Sequence, residues 1–295
     1  MKCLSIAVAI LCLSNVGLMS QEDLLALLEG ERDEETQFVE AIFKSTRIIN
    51  GHSIENTPIR ILDVKISHRF GFINNGLYDL FGLDAATIRI GADWGVSERL
   101  TIGGGRSSLE KSYDLYAKYR LMRQSAGIKN NPLSISYLVS GAINTLKYQD
   151  PEASNLFSSR LFYSHQILIA RKFSESFSLQ LTPTLVHRNL VQTNQESNDV
   201  IAFGVGGRQK LSGRVSFNLE YYYVLPDQLA SNYRNSFSIG FDIETGGHVF
   251  QLHFTNSTSM INKGFVTETV GDWFDGGIHF GFNISRVFTL KKSKP

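Results

Sequence analysis

The chain has 295 residues, with 29 basic and 28 acidic side chains for a formal net charge of +1. That balance gives no electrostatic reason to expect nucleic acid. Its two cysteines, Cys3 and Cys12, lie at the very start, so disulfides, thiolate metal sites and a cysteine nucleophile are excluded from the rest.

Residues 1–20 read as a cleaved secretory signal peptide. Lys2 supplies the positive start, Cys3 to Leu13 an apolar run, and Leu18-Met19-Ser20 a small residue before Gln21. The competing reading is a lipoprotein signal acylated at Cys12, against which Leu11 stands where a small residue is expected. No later apolar run approaches the roughly 20 residues of a transmembrane helix.

Residues 21–57 form an N-terminal extension of different character. Leu24, Leu25, Leu27 and Leu28 precede the acidic stretch Glu29 to Glu35. Phe38, Val39, Ile42 and Phe43 then recur at helical spacing, with Thr36 as a candidate cap, so a short helix is expected. Asn50-Gly51 marks a tight turn. The simpler expectation is a loosely ordered periplasmic leader; the alternative is a lumenal plug whose helix or hairpin enters the domain that follows.

From residue 58 to 290 the pattern changes to alternation. Leu62, Val64 and Ile66 oppose Asp63, Lys65, Ser67 and Arg69; Ile88, Ile90 and Trp94 oppose Arg89 and Asp93. Leu115, Ala117 and Tyr119 oppose Asp114, Lys118 and Arg120, and Phe217, Leu219 and Tyr221 oppose Arg214, Ser216, Asn218 and Glu220. Phe237, Ile239 and Phe241 oppose Gly240 and Asp242, while Phe280, Phe282 and Ile284 oppose His279, Gly281 and Asn283. Further strands fall near 99–107, 133–144, 160–172, 177–188, 200–210 and 248–256, about twelve in all. A two-residue turn at Gly246-Gly247 sets Ile243 opposite Phe250, Asp242 opposite Gln251 and Gly240 opposite His253, and both faces then match without a slip.

Alternation also describes a soluble sandwich, whose apolar face turns inward. Charges and glycines in mid-strand on the polar face, and aromatic residues near strand ends on the other (Phe70, Trp94, Phe173, Phe177, Tyr223, Phe237), favour a membrane. Short turns alternate with long loops, which places both chain ends in the periplasm; the connection from Gln124 to Pro132 is long for a periplasmic turn. The expectation is an all-β fold: an antiparallel transmembrane β-barrel of about 12 strands with a short N-terminal helical extension, sitting in the outer membrane of a Gram-negative bacterium.

Several stretches carry a family resemblance. They are Phe43-Lys44-Ser45-Thr46-Arg47-Ile48-Ile49-Asn50-Gly51-His52-Ser53, His68-Arg69-Phe70-Gly71, Leu80-Phe81-Gly82-Leu83-Asp84, Gly104-Gly105-Arg106-Ser107-Ser108, Lys118-Tyr119-Arg120, Gly247 to Asn256, and Phe280 to Arg286. Over about residues 40–290 the chain resembles the membrane-bound β-barrel family of Gram-negative bacteria catalogued as a domain of unknown function. The resemblance implies the barrel and its location and carries no activity.

Candidate chemistry is sparse. Gly103-Gly104-Gly105-Arg106-Ser107-Ser108 lacks the lysine ending of a phosphate loop and opens no helix, so it reads as strand passed closely by other backbone or by a plug. His253 and His279, with Asp242 nearby, have the ligand types of a zinc site, although satisfied lumenal polar residues are the plainer account. No Ser/His/Asn constellation emerges, so no enzyme and no cofactor are expected. The residues expected to line the lumen are Asp63, Lys65, Arg69, Arg89, Asp93, Lys118, Arg120, Arg208, Arg214, Glu220, Asp242, His253 and His279. The functional expectation is a small passive channel or transport-associated pore. A closed barrel docking partners through its external loops is the alternative, and a membrane-embedded hydrolase the third. Expected partners are outer-membrane lipid and, during biogenesis, the barrel-assembly machinery, with the substrate unspecified.

Overall fold

The computed structural model describes residues 35–148 and 155–290. The expected signal peptide and the leucine-rich and acidic run up to Glu34 lie outside the described residues.

The strands are β1 (Gln37–Phe38), β2 (Ile61–Phe72), β3 (Ala86–Gly95), β4 (Leu100–Ser107), β5 (Tyr113–Met122), β6 (Ser125–Ala126) and β7 (Ser134–Ile143). They continue with β8 (Leu161–Lys172), β9 (Phe177–Arg188), β10 (Asp199–Lys210), β11 (Val215–Val224), β12 (Ser236–Thr245), β13 (His248–Thr255) and β14 (His279–Thr289). Twelve of them pair antiparallel with their chain neighbours, and β14 returns to β2 to close a barrel. Closure leaves no unpaired edge, which a lipid environment would not tolerate. The register read from Gly246-Gly247 holds: Ile243 faces Phe250, Asp242 faces Gln251 and Gly240 faces His253. Both turn glycines have positive φ, 33° and 99°, where a side chain would be strained.

Side-chain placement decides between sandwich and membrane barrel. Outward positions stay open and apolar, as at Ile90 (55% exposed) and Leu115 (67%), while inward alternates on the same strands, Arg89, Asp93, Asp114 and Lys118, are polar and buried. This inverts a soluble protein and presents a continuous apolar belt.

The N-terminal segment corrects two expectations. The helix expected from Thr36 does not form: β1 pairs instead with β6, Val39 N–H donates to the Gln124 carbonyl at 2.9 Å, and the chain to Pro58 is irregular. Nor are residues 41–57 a loose leader, because most of the segment is buried inside the barrel. The helical spacing of Ile42 and Phe43 reflects packing on the wall, where they cluster with Ile48, Ile54, Leu168 and Ala170. The long connection between β5 and β7 is explained too, since it carries β6 as the mate of β1.

One further element enters the barrel. The connection from β13 to β14 folds inward as a six-residue helix, α1 (Asn262–Thr267), all of it buried.

Candidate functional site

The lumen is where this fold concentrates its polar chemistry, and two segments occupy it. From the short-turn end comes a hairpin in which Arg47 bridges His52, Ile48 N–H donates to the Gly51 carbonyl at 2.9 Å and Ser53 N–H to that of Thr46 at 3.0 Å. Its tip rests on one carboxylate. Glu220 accepts the backbone N–H groups of Ile49, Asn50 and Gly51 at 3.2, 3.0 and 2.9 Å. Asn50 donates to the Ser238 and Thr255 hydroxyls at 3.0 and 3.1 Å, and its side-chain carbonyl accepts from Arg69 at 2.7 Å.

The irregular backbone is satisfied by the wall, as buried backbone must be. Gln251 donates to the Arg47 and Ile48 carbonyls, Asn283 to Ile49 and Gln180 to His52, at 2.8 to 3.3 Å. Lys118 donates to the Ser53 and Glu55 carbonyls, and Arg208 to those of Ala41 and Ile42. Thr46 donates to Asp93 at 2.9 Å and accepts from Lys65. Wall glycines leave the room: a Cβ at Gly206 would sit 2.3 Å from Ile48 Cδ1.

The upper half is filled by the last loop. Phe265 lies edge-on to Tyr222, ring centroids 5.0 Å apart, within a cluster of Val186, Val200, Ala202, Val224 and Val266. Asn262 donates to Ser164 at 3.1 Å and Gln166 at 3.0 Å. Lys263 reaches Glu110 at 2.9 Å and Glu268 at 2.7 Å and stands 4.2 Å from the Phe162 ring centroid. Burial lifts the Glu268 carboxyl above its ordinary range, opposed by Lys263. Two narrow gaps remain between these segments and the wall, each with room for about one water.

The expected lumen residues fall into three groups. Arg69, Lys118, Arg208 and Glu220 grip the hairpin directly, as above. Others pair along the wall: Lys65 with Asp63 (2.7 Å) and Asp93, Arg89 with Asp114 (2.5 Å), and Asp242 as acceptor of Gln251 at 2.8 Å. The rest differ. His253 is buried facing inward. His279 spends one ring nitrogen on the Thr258 hydroxyl and the other on the Phe70 carbonyl, leaving none for a metal. Arg120 is half-buried at the short-turn rim near the Glu98 carbonyl (3.3 Å). Arg214 is a correction: it is exposed in the turn before β11, where the Ser212 hydroxyl accepts its N–H and fixes the turn.

The sequence reading missed Tyr116 and Tyr222, although period two turns both inward between outward neighbours. Nor did it register that the connection from β13 to β14 folds inward, although Met260, Ile261, Phe265 and Val266 make it unusually apolar for an external loop. The glycine run of β4 makes room for side chains of adjacent strands: a Cβ at Gly103 would meet Tyr116 at 2.5 Å, and one at Gly105 would meet Arg89 at 2.8 Å.

A family model described as a membrane bound beta barrel domain (DUF5777) matches residues 43–288. No curated protein matches. Among solved structures the chain is similar to the NanC porin, at 9% identity and TM-score 0.47, covering 77% of this chain and 98% of that one. It is similar also to an outer-membrane channel from Pseudomonas putida F1, at 13% identity and TM-score 0.46 over 80% and 98%. A third is the Acinetobacter baumannii outer membrane protein Omp33, at 8% and 0.41 over 77% and 97%.

Proposed function

The chain belongs to the membrane-bound β-barrel domain family (DUF5777), and from that premise we propose that it is an outer-membrane pore held shut at rest by its own N-terminal hairpin. Short turns face the periplasm and long loops the exterior, with the apolar belt in outer-membrane lipid and insertion by the barrel-assembly machinery. The passive channel expected from the sequence thus becomes a gated one.

A single observation carries the reading: the barrel is filled by tethered segments and not by its own wall. Barrels of about eight strands fill their interiors with strand side chains, whereas twelve leave space. Here many of the inward positions are small and polar, among them Ser136, Ser164, Ser178, Thr182, Ser216 and Ser238, as a wet passage requires. Small hydrophilic solutes fit such a wall. The bonds to the hairpin are polar and water can replace them, so its departure leaves a solvated wall.

The docking reading has one observation in its favour. The loop between β2 and β3 exposes Leu77 (78%) and Tyr78 (94%), and holds Leu80 and Phe81 at left-handed φ of 45° and 55°. Catalysis has no part in either reading.

Planar-bilayer recording tests the pore. The full chain is expected to be silent, and a chain lacking residues 41–57 to show discrete conductance steps, because α1 packs mainly against the β8 to β11 side of the wall. Silence from both, in protein shown to be folded, would overturn the pore and favour docking.

A further inference from the structure

Two buried arginines in the lumen have no carboxylate in direct contact. Lys65 is paired with Asp63 and Asp93, and Arg89 with Asp114, but among the described residues no ion pair reaches Arg47 or Arg69. Glu220 spends its oxygens on three hairpin amides. Arg69 is 1% exposed and meets only neutral oxygens, of His68, Asn283 and Asn50, while its Nε has no partner. Arg47, 8% exposed, donates to the Asn50 carbonyl at 2.9 Å, with its guanidinium carbon 5.8 Å from the Tyr116 ring centroid. Glu220 acts on Arg69, and Asp93 and Asp114 on Arg47, only at a distance, and a buried cation whose hydrogen bonds all run to neutral groups is incompletely compensated.

Arg47 and Arg69 both line one cavity between the hairpin and the β2, β3, β13 and β14 wall, and Arg47 reaches as well to a second gap beside Asp114. Lys65, Arg89, Gln251 and Asn283 line the first cavity as well, and no carboxylate does. We propose that this cavity binds one small inorganic anion of chloride size, held by Arg69 of the wall and Arg47 of the hairpin. The cavity has room for about one water, which excludes a bulky oxyanion. Arg47 belongs to the hairpin and Arg69 to β2, so the anion ties plug to wall. Its role in closing the pore rests on the gated reading; its binding does not.

Bromide, a heavier halide, is the probe. Crystals of the full chain grown in sodium bromide are expected to give an anomalous peak in this cavity beside the Arg69 side chain. A peak-free cavity in an otherwise ordered lumen would overturn the site, whatever the bilayer recordings show. In solution, replacing gluconate with chloride at fixed ionic strength is expected to raise Tm by about 3 °C, and not at all in Arg69→Gln. Equal Tm in both salts for the unaltered protein would count against the site. Should Arg69→Gln fail to fold, the bromide map of the unaltered protein decides.

Discussion

Glu220→Ala is expected to unseat the hairpin and to cost about 3–6 kcal/mol, the sum of bonds from one charged acceptor to three amides less some water replacement. The loss is large because the Ile49, Asn50 and Gly51 N–H groups face a wall with no second carboxylate bonded to them. Glu220→Gln keeps one carbonyl oxygen as acceptor and should lose about half as much. Protease digestion of the folded barrel checks this: residues 41–57 should be cut many times faster in the alanine variant, with the barrel strands left intact. Cleavage unchanged from the unaltered protein would mean that the tip is held by something other than this carboxylate.

Phe265→Ala should cost about 3–5 kcal/mol, as for a large aromatic removed from a closed core. Phe265 is fully buried and meets Tyr222 edge-on, and Val186, Val200 and Ala202 sit on strands that cannot close in on the void. A thermal melt in detergent should fall by several degrees. A melt unchanged would place α1 outside the barrel. Tyr222 connects the two segments: its ring meets Phe265, and a Cβ at Gly51 would lie 2.2 Å from its hydroxyl. Hairpin and last loop therefore share a wall residue, and their energies should not be independent.

The barrel was legible because its strands alternate with period two, and one face must be apolar where it meets lipid. Gly246-Gly247 was enough to place Asp242 beside Gln251 and Gly240 beside His253. The fillings were not legible, for a physical reason. The hairpin has no regular backbone of its own to leave a period; its bonds run to Gln180, Glu220, Gln251 and Asn283, between 128 and 234 residues away. Ile42 and Phe43 imitate a helix because Leu168 and Ala170 lie beneath them. Most of the lumenal charges stand where alternation puts them, but they do different work. Lys118 and Arg208 hold plug carbonyls, where an open channel would have them meet solute. Arg214 was misplaced because alternation cannot tell the last residue of a turn from the first of a strand.

Hydrogen exchange of the backbone amides of Ile49, Asn50 and Gly51 in the folded, membrane-embedded protein is the most direct test. With the hairpin seated on Glu220, these amides should exchange as slowly as those of the barrel strands beside them. Exchange at the rate of an open loop, with β10 to β12 still protected, would show that the hairpin does not occupy the lumen and would contradict the plugged barrel.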